Sequence, residues 1–134
     1  MTRRRTNPAR RAVAATELAV CLPVIVLLVL GMIEACTMIF LKQSLTVAAY
    51  EGVRTAIRPN ATAAGVQSTC DGVLGDRRVQ GGVVAVQPNN ISSAAIGQFI
   101  EVTVSAPASR NSVIPGSFFR GRTLSATASM MKEF

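Results

Sequence analysis

From Leu18 to Leu41 the chain reads LAVCLPVIVLLVLGMIEACTMIFL, 24 residues of which 20 are apolar. As an α-helix this run is about 36 Å long, more than the roughly 30 Å hydrocarbon core of a bilayer. A chain of 134 residues builds too small a core to bury a helix that is apolar on every side over such a length. The run reads as a transmembrane helix. A cleavable secretory signal is the competing reading, but its apolar region spans only roughly 7–15 residues and ends at a small-x-small site. Here the run is longer, and Glu34-Ala35-Cys36-Thr37 makes a poor cleavage site.

Charge sets the orientation. Fourteen Lys and Arg against seven Asp and Glu give a net charge of +7 and a pI near 10.7. Arg3, Arg4, Arg5, Arg10 and Arg11 precede the span with no acid among them, whereas Lys42 alone follows it closely. The positive-inside rule then puts the N-terminus in the cytoplasm and the C-terminal part outside. A nucleic-acid-binding role is excluded on the same grounds: the basic arm is short, lacks aromatics and runs directly into a membrane segment. With no His in the chain, imidazole-based acid–base and nucleophilic catalysis are absent, as are most zinc sites. Asp71 and Asp76 are too isolated to make a metal site or a catalytic pair. No cofactor and no small-molecule substrate are expected.

The helix is expected to outlast the membrane. No breaker occurs from Lys42 until Pro59, and Leu41, Leu45, Ala48, Gly52 and Ala56 draw one stripe at helical spacing. A continuous helix from Val13 to Ile57 would be about 68 Å long. Ala63, Val66, Cys70, Val73 and Leu74 suggest a short second helix within 62–78, weakened by three glycines. Val83–Gln87 reads as a strand. Phe99 to Ala106 and Arg122 to Lys132 alternate with period two, with Ile100, Val102, Val104, Ala106 and Leu124, Ala126, Ala128, Met130 on the buried faces. A loop from Pro107 to Gly121 joins them. The expectation is an α+β fold: a long N-terminal transmembrane helix extending into a small external domain with a short helix and a three-stranded antiparallel sheet. In this division residues 1–12 are a basic cytoplasmic leader, 13–58 the long helix with its span at 18–41, and 59–134 the external domain. Cys21 and Cys36 lie within the span, and Cys70 is left as the one external thiol, free or buried unless it bridges to another molecule.

Two acids, Glu17 just before the span and Glu34 within it, each admit two readings. An ionised Glu17 near lipid is costly unless it is paired or reaches water near Arg10 at the cytoplasmic interface. Glu34 lies below the outer surface, where a carboxylate marks a protein–protein contact unless a tilted helix lets it reach the headgroups.

Residues 10–58 resemble the TadE-like family, pseudopilins or minor pilins of the tight-adherence (Flp) pilus and secretion machinery. The features that carry the resemblance are Arg10-Arg11, then Glu17, Pro23 early in the span, Gly31-Met-Ile-Glu34 late in it, and Ala48-Ala49-Tyr50-Glu51-Gly52-Val53-Arg54 closing the helix. The final strand, RTLSATASMM, is also similar. The resemblance implies a pilin-like subunit of the bacterial inner membrane, without enzymatic activity. It implies cleavage by a prepilin peptidase between Ala12 and Val13, which leaves Glu17 at mature position five to pair with the new α-ammonium of a neighbour and set axial register. Other pilin-like subunits and pilus-assembly platform proteins are the implied partners. The chain departs from the family in having Ala12 where Gly is usual and Leu18 where an aromatic often follows the Glu. The rival reading is an unprocessed bitopic anchor that displays a small extracytoplasmic binding domain.

Overall fold

A computed structural model describes residues 8–114, 119 and 121–133, with side chains from residue 12 onward. The fold is α+β. Helix α1 runs Pro8–Ala56, helix α2 Ala63–Asp76, strand β1 Val83–Gln87, strand β2 Phe99–Pro107, the single-turn helix α3 Ala108–Asn111, and strand β3 Thr123–Met131. Two compact units divide the chain, Met1–Ile33 and Glu34–Phe134, and the division falls inside α1.

Pro8 opens α1 without loss, because its missing N–H would have had no partner in the first turn. The helix thus starts five residues ahead of the expected Val13. Its end is set by Pro59, which disfavours helix at Arg58. Asn60 then turns the chain at a φ of 60°, a left-handed conformation that Asn tolerates. Thr62 caps α2, its Oγ1 accepting the Gly65 N–H at 3.1 Å. At the other end Arg78 N–H donates to Gly75 O and Val79 N–H to Leu74 O, both at 2.9 Å. This pair of bonds needs a left-handed residue between them, a place usually taken by Gly. Arg78 holds it here, at a φ of 56°, which costs an L-residue roughly 1 kcal/mol or more.

The sheet is an antiparallel meander in the order β1-β2-β3. Val84 and Val86 face Val104 and Val102 across the first pair, while Val102, Val104 and Ala106 face Ala128, Ala126 and Leu124 across the second. On the outward face Thr103 and Thr127 share a hydrogen bond of 2.8 Å. Lys42 of α1 donates from Nζ to Ser125 O on β3.

The inward face of β2 meets the C-terminal part of α1. All five residues of the expected stripe, Leu41, Leu45, Ala48, Gly52 and Ala56, are buried, with Ala49 and Val53 beside them. Val66, Cys70 and Leu74 of α2 and Ile100, Val102, Val104 and Ala106 of β2 complete the core, with Ala126 from β3. Three details differ from expectation. Ala63 is exposed, because it lies in the first turn of α2 before the helix reaches the core. Ile91, in a 3-10 turn at Ile91–Ser93, is 1% exposed and closes the core from between β1 and β2. The expected loop after β2 begins with α3, whose Ala108 is fully buried.

Candidate functional site

The N-terminal unit consists of helix alone among its described residues. From Val13 to Ile33 nearly every large apolar side chain is solvent-exposed, Val20 at 76% and Met32 at 66% among them. These 21 residues rise about 31 Å. Among the described residues α1 is the one helix long and apolar enough to cross a membrane.

Ala12 and Val13 lie in the second turn of α1 and are both exposed. Thr16 Oγ1 donates to Val13 O at 2.8 Å and stands 3.3 Å from Ala12 O. The Ala12–Val13 bond thus lies in regular helix, with the Thr16 hydroxyl over the carbonyls of both residues. Glu17, one turn beyond Val13, is exposed. Arg10 and Arg11 belong to the first turn of α1, while Arg3, Arg4 and Arg5 lie outside the described residues.

Glu34 opens the second unit and is 1% exposed. Its two carboxylate oxygens each lie 3.0 Å from Ser112 Oγ, which also stands 3.1 Å from Ile114 O and accepts the Ile114 N–H at 3.3 Å. One hydroxyl proton is shared among these acceptors. The sequence reading sought a partner for Glu34 in another subunit or in the headgroups, whereas the fold supplies Ser112 from the β2–β3 connection of the same chain. A serine 78 positions away leaves no signal in a linear reading.

The late helix motif forms a crossing. Ala48 and Ala49 are buried to 1% exposure or less, and α2 approaches at Ala48, whose carbonyl meets Cys70. Gly52 is the closest point: a Cβ there would stand 2.5 Å from Cys70 Sγ, 3.1 Å from Val102 Cγ1 and 3.6 Å from Val66 Cγ1. Cys70 is fully buried and its thiol donates to Ala48 O at 3.4 Å. Burial, with the neighbouring Asp71 carboxylate second, pushes this thiol up to about 11. Glu51 and Arg54 form an exposed pair at 4.0 Å, which contributes little to stability.

This ordered set on one helix decides the family comparison. Residues 12–54 match the family model of the TadE-like proteins. No curated protein and no solved structure matches the chain. The TadE-like segment therefore runs from the Ala12–Val13 bond to the end of the small-residue crossing, and it holds Glu17, Glu34 and Gly52. With a membrane-length helix in the same segment, the match supports a membrane protein related to the tight-adherence pilus. Within this segment two kinds of residue are now distinct. Ala48, Ala49 and Gly52 serve packing inside the C-terminal unit, whereas Val13, Glu17 and the large apolar side chains up to Ile33 are exposed.

Proposed function

We propose that this chain is a pseudopilin or minor-pilin subunit that works in the assembly of a tight-adherence pilus or secretion apparatus. It sits in the bacterial inner membrane with its N-terminus in the cytoplasm and its C-terminal unit outside, and it has no catalytic activity of its own. The observation that carries this reading is the TadE-like match over a helix whose first half is apolar, exposed and interrupted by the single carboxylate of Glu17. A carboxylate beside lipid is costly unless a positive group meets it. Cleavage of the Ala12–Val13 bond by a prepilin peptidase removes the arginines and creates an α-ammonium at Val13. Glu17 of one subunit then pairs with the ammonium of the next, so that lateral packing of helices acquires an axial register. Other pilin-like subunits and platform proteins of the machinery meet the apolar surface and the C-terminal unit.

One observation favours a second reading. The Ala12–Val13 bond is helical and its carbonyl is engaged by Thr16, as suits an unprocessed bitopic anchor that displays its C-terminal unit. Intact mass and N-terminal sequence of the protein from its own membrane separate the two. A chain that starts at Val13 supports the pseudopilin, and one that retains residues 1–12 supports the anchor.

A further inference from the structure

A cavity of about 200 Å3 opens where α2 ends, lined by Arg77, Arg78, Arg110, Phe40, Leu41 and Asn111 among others. The first two arginines close α2 and the third stands on α3, so the fold gathers bases that are far apart in the sequence. None of the three makes an ion pair among the described residues, where the one pair is Arg54 with Glu51. Like charges lining a small cavity repel one another, and Asp76, which precedes them, is not part of the lining.

Arg77 is half-buried, whereas Arg78 and Arg110 are exposed. Arg78 occupies the left-handed position that favours Gly. The Arg110 side chain lies over Gly81: a Cβ there would be 3.1 Å from its Cδ and 3.2 Å from Nη1. Asn111 clamps the two basic segments together, accepting the Gln80 N–H at 2.8 Å and donating to Gln80 O and Pro107 O at 2.9 Å. Its amide is thereby committed to backbone, and the Ser112 hydroxyl is committed to Glu34 and Ile114. The guanidiniums are the charged donors the cavity offers.

A planar guanidinium presents paired N–H groups that match phosphate oxygens two at a time. The lining also includes Phe40, an apolar side chain that is 52% exposed, and Leu41, which is 2% exposed and belongs to the core. Both are the last residues of the membrane-length run Leu18–Leu41. Cationic donors beside an exposed apolar side chain suit an anion that continues into hydrocarbon. We propose that Arg77, Arg78 and Arg110 bind the phosphate of an anionic phospholipid headgroup. The lipid source rests on α1 being a membrane anchor, which brings the end of its apolar run to a headgroup layer. Such a site fixes how the C-terminal unit meets the membrane surface.

The test is calorimetric titration of the full chain in an uncharged detergent, at low salt, with short-chain phosphatidylglycerol, short-chain phosphatidylcholine and inorganic phosphate. Phosphatidylglycerol is expected to bind at least about tenfold more tightly than either of the others, and to lose about tenfold or more in Arg77→Gln/Arg110→Gln. Arg78→Gly is the control for folding: Gly suits the left-handed position, so this variant melts no earlier than the parent while binding phosphatidylglycerol more weakly. Inorganic phosphate binding as tightly as phosphatidylglycerol overturns the lipid, and equal binding of phosphatidylcholine does the same. Unchanged affinity in both variants overturns the site. The titration needs neither cleavage nor assembly, so failure of the pseudopilin reading leaves its outcome intact.

Discussion

The Gly52–Cys70 crossing makes a prediction in which two substitutions cancel. Gly52→Ala puts a methyl 2.5 Å from Cys70 Sγ and 3.1 Å from Val102 Cγ1, inside the van der Waals radii of both. Overpacking of a core costs about 1–3 kcal/mol, and a contact this short belongs at the upper end. Against it, the helix gains roughly 1 kcal/mol when Gly is replaced, so the net loss is about 1–2 kcal/mol. Cys70→Ala alone removes the buried sulfur and leaves a void, at a cost of about 1–2 kcal/mol. In the double variant the added methyl lies close to the place the sulfur has left. Both the clash and most of the void disappear, and stability returns to within about 0.5 kcal/mol of the parent, a coupling of about 2–3 kcal/mol. Helical content is a poor readout, because α1 stays helical in a micelle whether or not the core is intact. Amide hydrogen exchange at Val102 and Val104 is a better one. They sit on the central strand, whose neighbours pair with both of its edges, so their protection reports opening of the core. If the two single losses simply add in the double variant, the positions do not touch and the close approach of α2 to α1 is refuted.

Further outcomes follow from the same structure. Cys70 is expected to resist alkylation in the folded chain while remaining reactive after unfolding, as mass spectrometry of labelled peptides would show. Because its folded pKa is raised from 9.0 to about 11, its share of stability is whole below pH 9 and is lost as pH climbs toward 11. The loss amounts to up to roughly 1.4 kcal/mol per pH unit, and the difference between parent and Cys70→Ala across that range isolates it. Ser112→Ala should destabilise the C-terminal unit by about 2–3 kcal/mol, since it takes the hydroxyl proton from a buried carboxylate, and Glu34→Gln added to it should recover part of the loss; limited proteolysis in denaturant would measure both. Ala12→Gly, which weakens the helix at the bond by roughly 1 kcal/mol, should raise the processed fraction seen by intact mass. Glu17→Gln should leave that fraction unchanged while abolishing co-purification with pilin-like subunits.

Much of the fold was legible because its signals are periodic. The alternation of Ile100, Val102, Val104 and Ala106 placed β2 and its inner face, and the stripe from Leu41 to Ala56 identified the side of α1 that covers it. What escaped was any residue whose role depends on a distant part of the chain. Ile91 carries no period, yet it closes the core from a 3-10 turn. Glu34, Met38 and Leu41 belong by composition to the apolar run, but they are buried in the C-terminal unit. Hydropathy counts carbon and does not distinguish lipid from protein as the surface that a side chain meets. The basic cavity was hidden likewise: Arg77-Arg78 is visible as a dipeptide, while Arg110 joins it only after the sheet has formed.

The division of the chain inside α1 has a mechanical consequence. Residues 34–56 are at once a continuation of the tether and one wall of the core, through Leu41, Leu45, Ala48, Ala49, Val53 and Ala56. A load applied along residues 34–56 is therefore borne by their contact with the sheet, as sliding of one packed face over the other. A proteolytic cut after Leu41 or Lys42 would not shed an intact module, because it would sever this wall from its anchor and begin to open the core. Displacement of residues 34–56 along the sheet is in this way also loss of the core they wall.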